Sequence, residues 1–80
     1  MRIDKFLKVS RLIKRRTVAN EACDAGKVSV NGRVVKAGYD VSVGDVIEIV
    51  FGTRTVRVEV LEINENASKA DVVSMYRQIS

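Results

Sequence analysis

Twelve side chains in the first 36 residues have the types and spacing to hold phosphate groups. They are Arg2, Lys5, Lys8, Arg11, Lys14, Arg15, Arg16, Thr17, Asn20, Lys27, Asn31 and Lys36. Lys and Arg attract a polyanion whatever its sequence, and releasing its condensed counterions makes such binding steeply salt dependent. Arg adds bidentate phosphate contact and stacking on exposed bases. Arg2, Arg15 and Arg16 are therefore the leading candidates, with Lys5, Lys8, Arg11 and Lys14 in support. Arg15-Arg16-Thr17 falls where a second helix should start, and free N–H groups at such a place favour a phosphate. Asn20, one turn on, could add a hydrogen bond. Lys27, Asn31 and Lys36 flank a hairpin. Each has a plainer alternative: Arg2 could pair with Asp4, Lys5 and Lys8 could be solvated helix charges, and Asn31 could serve its turn.

Catalysis finds little support beside this. Asp24, Asp40, Asp45 and Glu48 are present, but the chain has no histidine to act as a base. Cys23 is its only cysteine, so the thiol lacks both an internal disulfide partner and a His/Cys metal set. It reads as a buried structural residue. No catalytic residue, metal or cofactor is expected, and the chain reads as a non-enzyme.

The charge distribution agrees. Residues 1–36 carry ten basic and three acidic side chains, and residues 37–80 carry four and seven. The halves balance at +7 and −3, recovering the net +4. Such asymmetry points to a polyanion-facing side. An acidic protein or an anionic membrane surface is the competing partner for the basic face. No apolar run resembles a signal peptide or approaches the ~20 residues needed to span a bilayer. A cytoplasmic location without membrane contact is expected.

The elements that must position these residues follow from periodicity. Asp4 reads as the N-cap of a first helix. Ile3, Phe6, Leu7, Val9 and Ile13 form its apolar stripe, and Lys8, Arg11 and Arg15 fall together on the opposite side. Thr17 reads as the N-cap of a second helix running to about Ala25, with Val18, Ala19, Ala22 and Ala25 inward. Gly26 follows as its left-handed stop. Val28-Ser29-Val30 and Arg33 to Lys36 read as strands joined by Asn31-Gly32, the strongest short signal for a type I′ turn. Ala37 to Ser42 is a less regular connection, and Gly44-Asp45 a turn. Val46 to Phe51 and Arg54 to Leu61 read as strands around a Gly52-Thr53 turn, with Val56, Val58 and Val60 on the buried face. Ser68 to Ile79 could form a short C-terminal helix with Val72, Met75, Tyr76 and Ile79 as its apolar side. Tyr39, Phe51 and Tyr76 read as packing residues. With only two Tyr and two Phe, an aromatic platform for single strands is not expected.

Taken in order, Arg2-Ile3-Asp4-Lys5-Phe6-Leu7, Arg16-Thr17, Ala19, Ala22, Gly26-Lys27-Val28-Ser29-Val30-Asn31-Gly32, Lys36 and Gly44-Asp45 carry a resemblance. Over residues 1 to about 50 the chain resembles the RNA-binding domain first recognised in ribosomal protein S-four of the small subunit. The resemblance implies an α+β fold of the alpha-L type. Two N-terminal helices pack on a small, mainly antiparallel sheet, and residues 1–80 form a single RNA-binding domain. The opening through Thr17 is similar to the free-standing members that act in bacterial ribosome-associated quality control and are related to heat-shock protein fifteen. That similarity implies binding to an obstructed large ribosomal subunit through rRNA and peptidyl-tRNA. It also implies a protein partner that tails the stalled chain. A monomer is expected. A heat-shock-type role without tailing is the alternative. Two departures stand out. Ala37 replaces a proline common in the family, which suggests a looser connection. Only Lys69 and Arg77 lie near the end, where the heat-shock relatives carry a longer basic extension.

Overall fold

The computed structural model describes residues 1–79. Two helices, Ile3–Val9 (α1) and Arg16–Asp24 (α2), precede five strands. These are Val28–Val30 (β1), Arg33–Val34 (β2), Val46–Phe51 (β3), Arg54–Val60 (β4) and Tyr76–Gln78 (β5). The strands form one antiparallel sheet in the order β2-β1-β3-β4-β5. The expected α+β class is the observed one.

Seven residues are too few for a helix to hold in water by itself. α1 persists because Ile3, Phe6 and Leu7 are fully buried against the sheet and α2. Burial of side chains like Phe6 and Leu7 stabilises by about 1.5–3 kcal/mol each. The sheet supplies Val28, Val30, Ile47, Ile49, Val58 and Val60 to the same core. Strand pairing fixes that face: Val30 opposes Ile47, and Ile47 opposes Val58. A slip of one residue would turn all of these outward.

Both helix starts differ from the sequence reading. Arg2, not Asp4, is the N-cap of α1, and no side-chain cap is made. Backbone carbonyls of the following connection do that work instead. Ile3 N–H donates to the Tyr39 carbonyl at 2.7 Å and Asp4 N–H to the Ala37 carbonyl at 3.3 Å. The Ala37 segment is thereby pinned rather than loose, and Ala37 itself is buried. Arg15, not Thr17, is the N-cap of α2, its carbonyl accepting from Ala19 N–H at 3.1 Å. Arg16 thus enters the helix one turn before Asn20, and both reach toward Asp4 of α1. This phase turns Ala19 and Cys23 inward. It leaves Val18 about half exposed and Ala25 exposed, against expectation.

α1 also ends earlier than its apolar stripe suggests. Arg11 takes a left-handed conformation at φ 64°, so Lys8, Arg11 and Arg15 do not share one helical ridge. Ile13 still reaches the core, through a turn closed by its N–H on the Leu7 carbonyl at 3.0 Å. α2 stops as expected. Gly26 sits at φ 74°, and Lys27 N–H returns to the Ala22 carbonyl at 3.0 Å. Asn31 and Gly32 have φ of 52° and 85°, the two positive values that the I′ turn requires. The return strand is shorter than expected, and Lys36 lies beyond it.

The C-terminal helix is not formed. Val72 and Met75 are buried from a single 3-10 turn over Asp71–Ser74, and Tyr76–Gln78 then extends as β5. The reason is the free edge of β4. Tyr76 and Gln78 pair with Val60 and Val58, supplying backbone partners that a helix would withhold from that edge. Phe51 is 37% exposed at the β3–β4 turn, so of the three aromatics only Tyr39 and Tyr76 pack against the core.

Candidate nucleic-acid interface

The α1–α2 contact is built around one acid. Asp4 is 2% exposed, one of the few buried charged side chains among the described residues. Its Oδ1 accepts from Lys5 N–H at 2.8 Å, Arg2 Nε at 3.2 Å and Arg16 Nη2 at 3.4 Å. Its Oδ2 accepts from Asn20 Nδ2 at 3.2 Å and Arg2 Nη2 at 3.3 Å. Burial pushes this carboxyl up. The hydrogen bonds from Asn20, Arg2 and Arg16, with the charge of Arg16, outweigh that and hold it below the usual aspartate range. The acid therefore stays ionised. The Arg2 and Arg16 side chains remain about half exposed, at 54% and 46%. Two guanidiniums face solvent while anchored to one buried oxygen.

A second group lies at the last turn of α1 and just beyond it. Lys8, Arg11 and Lys14 line a groove of about 510 Å³ with Val9, Glu65 and Ala67. Lys5, one turn before Lys8, pairs with Glu65 at 3.1 Å. Glu65 therefore touches both the helix and the groove. It is an acid that a search for basic residues passes over; only the fold brings the 64–66 turn back to α1.

The other predicted residues stand in different settings. Arg15 and Thr17 are exposed at the start of α2, whose first turn carries no side-chain cap. Asn20 spends its amide on Asp4. Lys27 lines an apolar groove with Ile13, Val18, Ile49, Val50 and Phe51. Asn31 is bound on both sides of its amide. Nδ2 donates to Asp45 at 3.1 Å, and Oδ1 accepts from Val46 N–H at 2.9 Å. Asp45 also accepts from Tyr39 and from Ser42 N–H, so this buried acid fixes loops. Lys36 is exposed beyond β2. The fold brings Arg2, Arg16 and Asn20 together, and separately Lys8, Arg11 and Lys14. It does not bring Lys27, Asn31 or Lys36 to either cluster.

Among the described residues no group of His, Cys, Asp and Glu is placed to hold a metal ion. No helix there is long and apolar enough to cross a membrane.

The α1–α2 face of this small α+β module gathers half-exposed guanidiniums at Asp4 and a basic groove beside them. The S4 domain family model matches residues 1–47, and the chain belongs to the S4 domain family. Among relatives, it is similar to the RQC P-site tRNA stabilizing factor of Streptococcus pneumoniae, at 50% identity over 100% of this chain and 91% of that one. The protein of the same name from Bacillus subtilis is 50% identical over 95% of this chain and 88% of its own length. The trimeric structure of Vibrio cholerae heat shock protein 15 superposes with a TM-score of 0.90 at 26% identity, covering 100% of this chain and 82% of that one. The family is one of RNA-binding modules.

Proposed function

We propose that the chain is an RNA-binding adaptor of bacterial ribosome-associated quality control. In this reading it engages an obstructed large ribosomal subunit through rRNA and peptidyl-tRNA. It acts in the cytoplasm as one domain and a single copy, by binding alone, and supports tailing of the stalled chain by a partner protein. The observation that carries the reading is the pair of half-exposed guanidiniums, Arg2 and Arg16, held at Asp4. The names of the relatives at about 50% identity supply the tRNA and the quality-control setting.

Arg2, Arg16, Lys8, Arg11 and Lys14 take RNA phosphates, and Lys5 joins them when released from Glu65. Arg15, Thr17 and the uncapped first turn of α2 offer further donors. Lys27 and Lys36 make peripheral backbone contacts. Asn20 and Asn31 serve the scaffold, because their amides are already engaged.

Crosslinking of the tagged protein in cells, with sequencing of the attached RNA, tests this. Reads concentrated in large-subunit rRNA and tRNA are expected; a diffuse transcriptome signal would overturn the reading. The 0.90 superposition on heat shock protein 15 favours a second reading, large-subunit binding without tailing. Deleting the gene and measuring tails on stalled chains separates the two. Unchanged tails with retained subunit binding would select the second.

A further inference from the structure

Arg2 and Arg16 come from different helices, and as like charges they repel one another. Something must hold them together if both are to meet the same RNA strand. Asp4 has the position and the charge to do so. Its Oδ1 lies 3.2 Å from Arg2 Nε and 3.4 Å from Arg16 Nη2, so both guanidiniums are drawn to one carboxylate oxygen. Its burial means that it cannot itself be the RNA contact. Asn20 completes the arrangement by occupying Oδ2. The Asp45 carboxylate, by contrast, accepts from Asn31, Tyr39 and Ser42 N–H and from no arginine among the described residues.

We infer that Asp4 is the positioning residue of the RNA-binding face, setting Arg2 and Arg16 as a two-guanidinium clamp for one phosphodiester, with Asn20 orienting the acid. The inference rests on the RNA-binding reading given above. It also makes a prediction of opposite sign to simple electrostatics. Removing a negative charge beside a polyanion should tighten binding if charge alone matters. Removing the anchor of the clamp should weaken it.

The test uses co-sedimentation of the full chain with isolated large ribosomal subunits carrying a P-site tRNA. Asp4→Asn, shown folded by circular dichroism, is expected to weaken binding by about 5–20-fold, within the coupling found between residues of one hydrogen-bond network. Asp4→Glu retains the charge but displaces it, and is also expected to weaken binding. In an Arg2→Ala/Arg16→Ala background, Asp4→Asn is expected to have no further effect. Unchanged or tighter binding by folded Asp4→Asn overturns the inference. Should Asp4→Asn not fold, Asn20→Ala decides: a loss of about 2–3-fold that vanishes in the double-Ala background supports the inference, and wild-type affinity overturns it. If the Arg2→Ala/Arg16→Ala protein itself binds like wild type, the RNA-binding role of the arginines fails instead.

Discussion

Arg16 Nη2 on α2 lies 3.4 Å from Asp4 Oδ1 on α1, so a half-exposed base on one helix is tethered to a buried acid on the other. The same bond serves packing and the candidate site. A buried carboxylate is costly unless charged partners and hydrogen bonds surround it. Here Arg2, Arg16, Asn20 and Lys5 N–H all do so. Removing the carboxylate should therefore affect stability as well as RNA affinity.

The pH dependence of folding tests the stability part. Burial raises the Asp4 carboxyl, but its bonds to Asn20, Arg2 and Arg16 lower it further, leaving the folded value below the unfolded one. A lowered acid contributes stability that is present above its unfolded pKa, about 3.9. That stability is lost as pH falls through the folded value. Urea midpoints measured between neutral pH and about pH 3 should fall more steeply for the wild type than for Asp4→Asn. At neutral pH the variant should be less stable by about 1–3 kcal/mol. Parallel acid limbs for the two proteins would show that Asp4 contributes nothing ionic to the fold.

Arg11 should separate stability from binding. Its φ of 64° places a bulky L-residue in the left-handed region, which costs roughly 1–2 kcal/mol. Glycine relieves that strain but adds freedom to the unfolded chain. The net expectation for Arg11→Gly is a gain of about 0.5–1 kcal/mol in urea unfolding. The same variant removes a cation from the Lys8–Lys14 groove and should bind large subunits more weakly, with a shallower salt dependence by about one ion. A variant that gains stability at no cost in binding would remove Arg11 from the proposed RNA contacts.

Part of this architecture was legible in the chain itself. The spacing of Ile3, Phe6 and Leu7 marks the inner face of α1. Asn31-Gly32 marks its turn, and the alternation of Val56, Val58 and Val60 marks β4. These signals are local, and tertiary packing does not reverse them. What was not legible depends on distant partners. Asp4 looks like a cap because Ala37 and Tyr39, whose carbonyls take the first N–H groups, are more than 30 positions away. α1 ends at Val9, and two residues on an arginine takes a conformation usually given to glycine. Val72, Met75, Tyr76 and Ile79 have helical spacing, yet the free edge of β4 leaves the stretch as a 3-10 turn followed by a strand. The basic residues of the candidate site were all visible as residue types. Their grouping around Asp4 and along the groove beside Glu65 was not, because both acids act through the fold.

Cys23 should be chemically quiet. It is 3% exposed, and burial raises its thiol, with the charges of Asp4 and Asp24 adding in the same direction. The thiolate is the reactive form. A chromogenic thiol reagent at neutral pH should leave the native protein unmodified over the time in which the urea-unfolded chain reacts fully. Rapid native labelling would mean that α2 opens from the core far more often than its packing suggests.

Glu65 offers the sharpest contrast between stability and binding. Its pair with Lys5 is solvent-facing, with side-chain exposures of 61% and 36%. Exposed pairs of this kind contribute about 0–1 kcal/mol. Glu65→Gln should therefore leave the thermal midpoint almost unchanged. The same acid lines the groove with Lys8, Arg11 and Lys14, where its charge opposes an approaching phosphate. Replacing it frees Lys5 and raises the local positive potential. Affinity for large subunits should rise by about 2–5-fold at low salt, and the gain should fade as the Debye length shortens at higher ionic strength. A salt-independent change would point to a repacked 64–66 turn instead. An unchanged affinity at every salt concentration would mean that the RNA does not enter this groove, and would confine the interface to the arginines at Asp4.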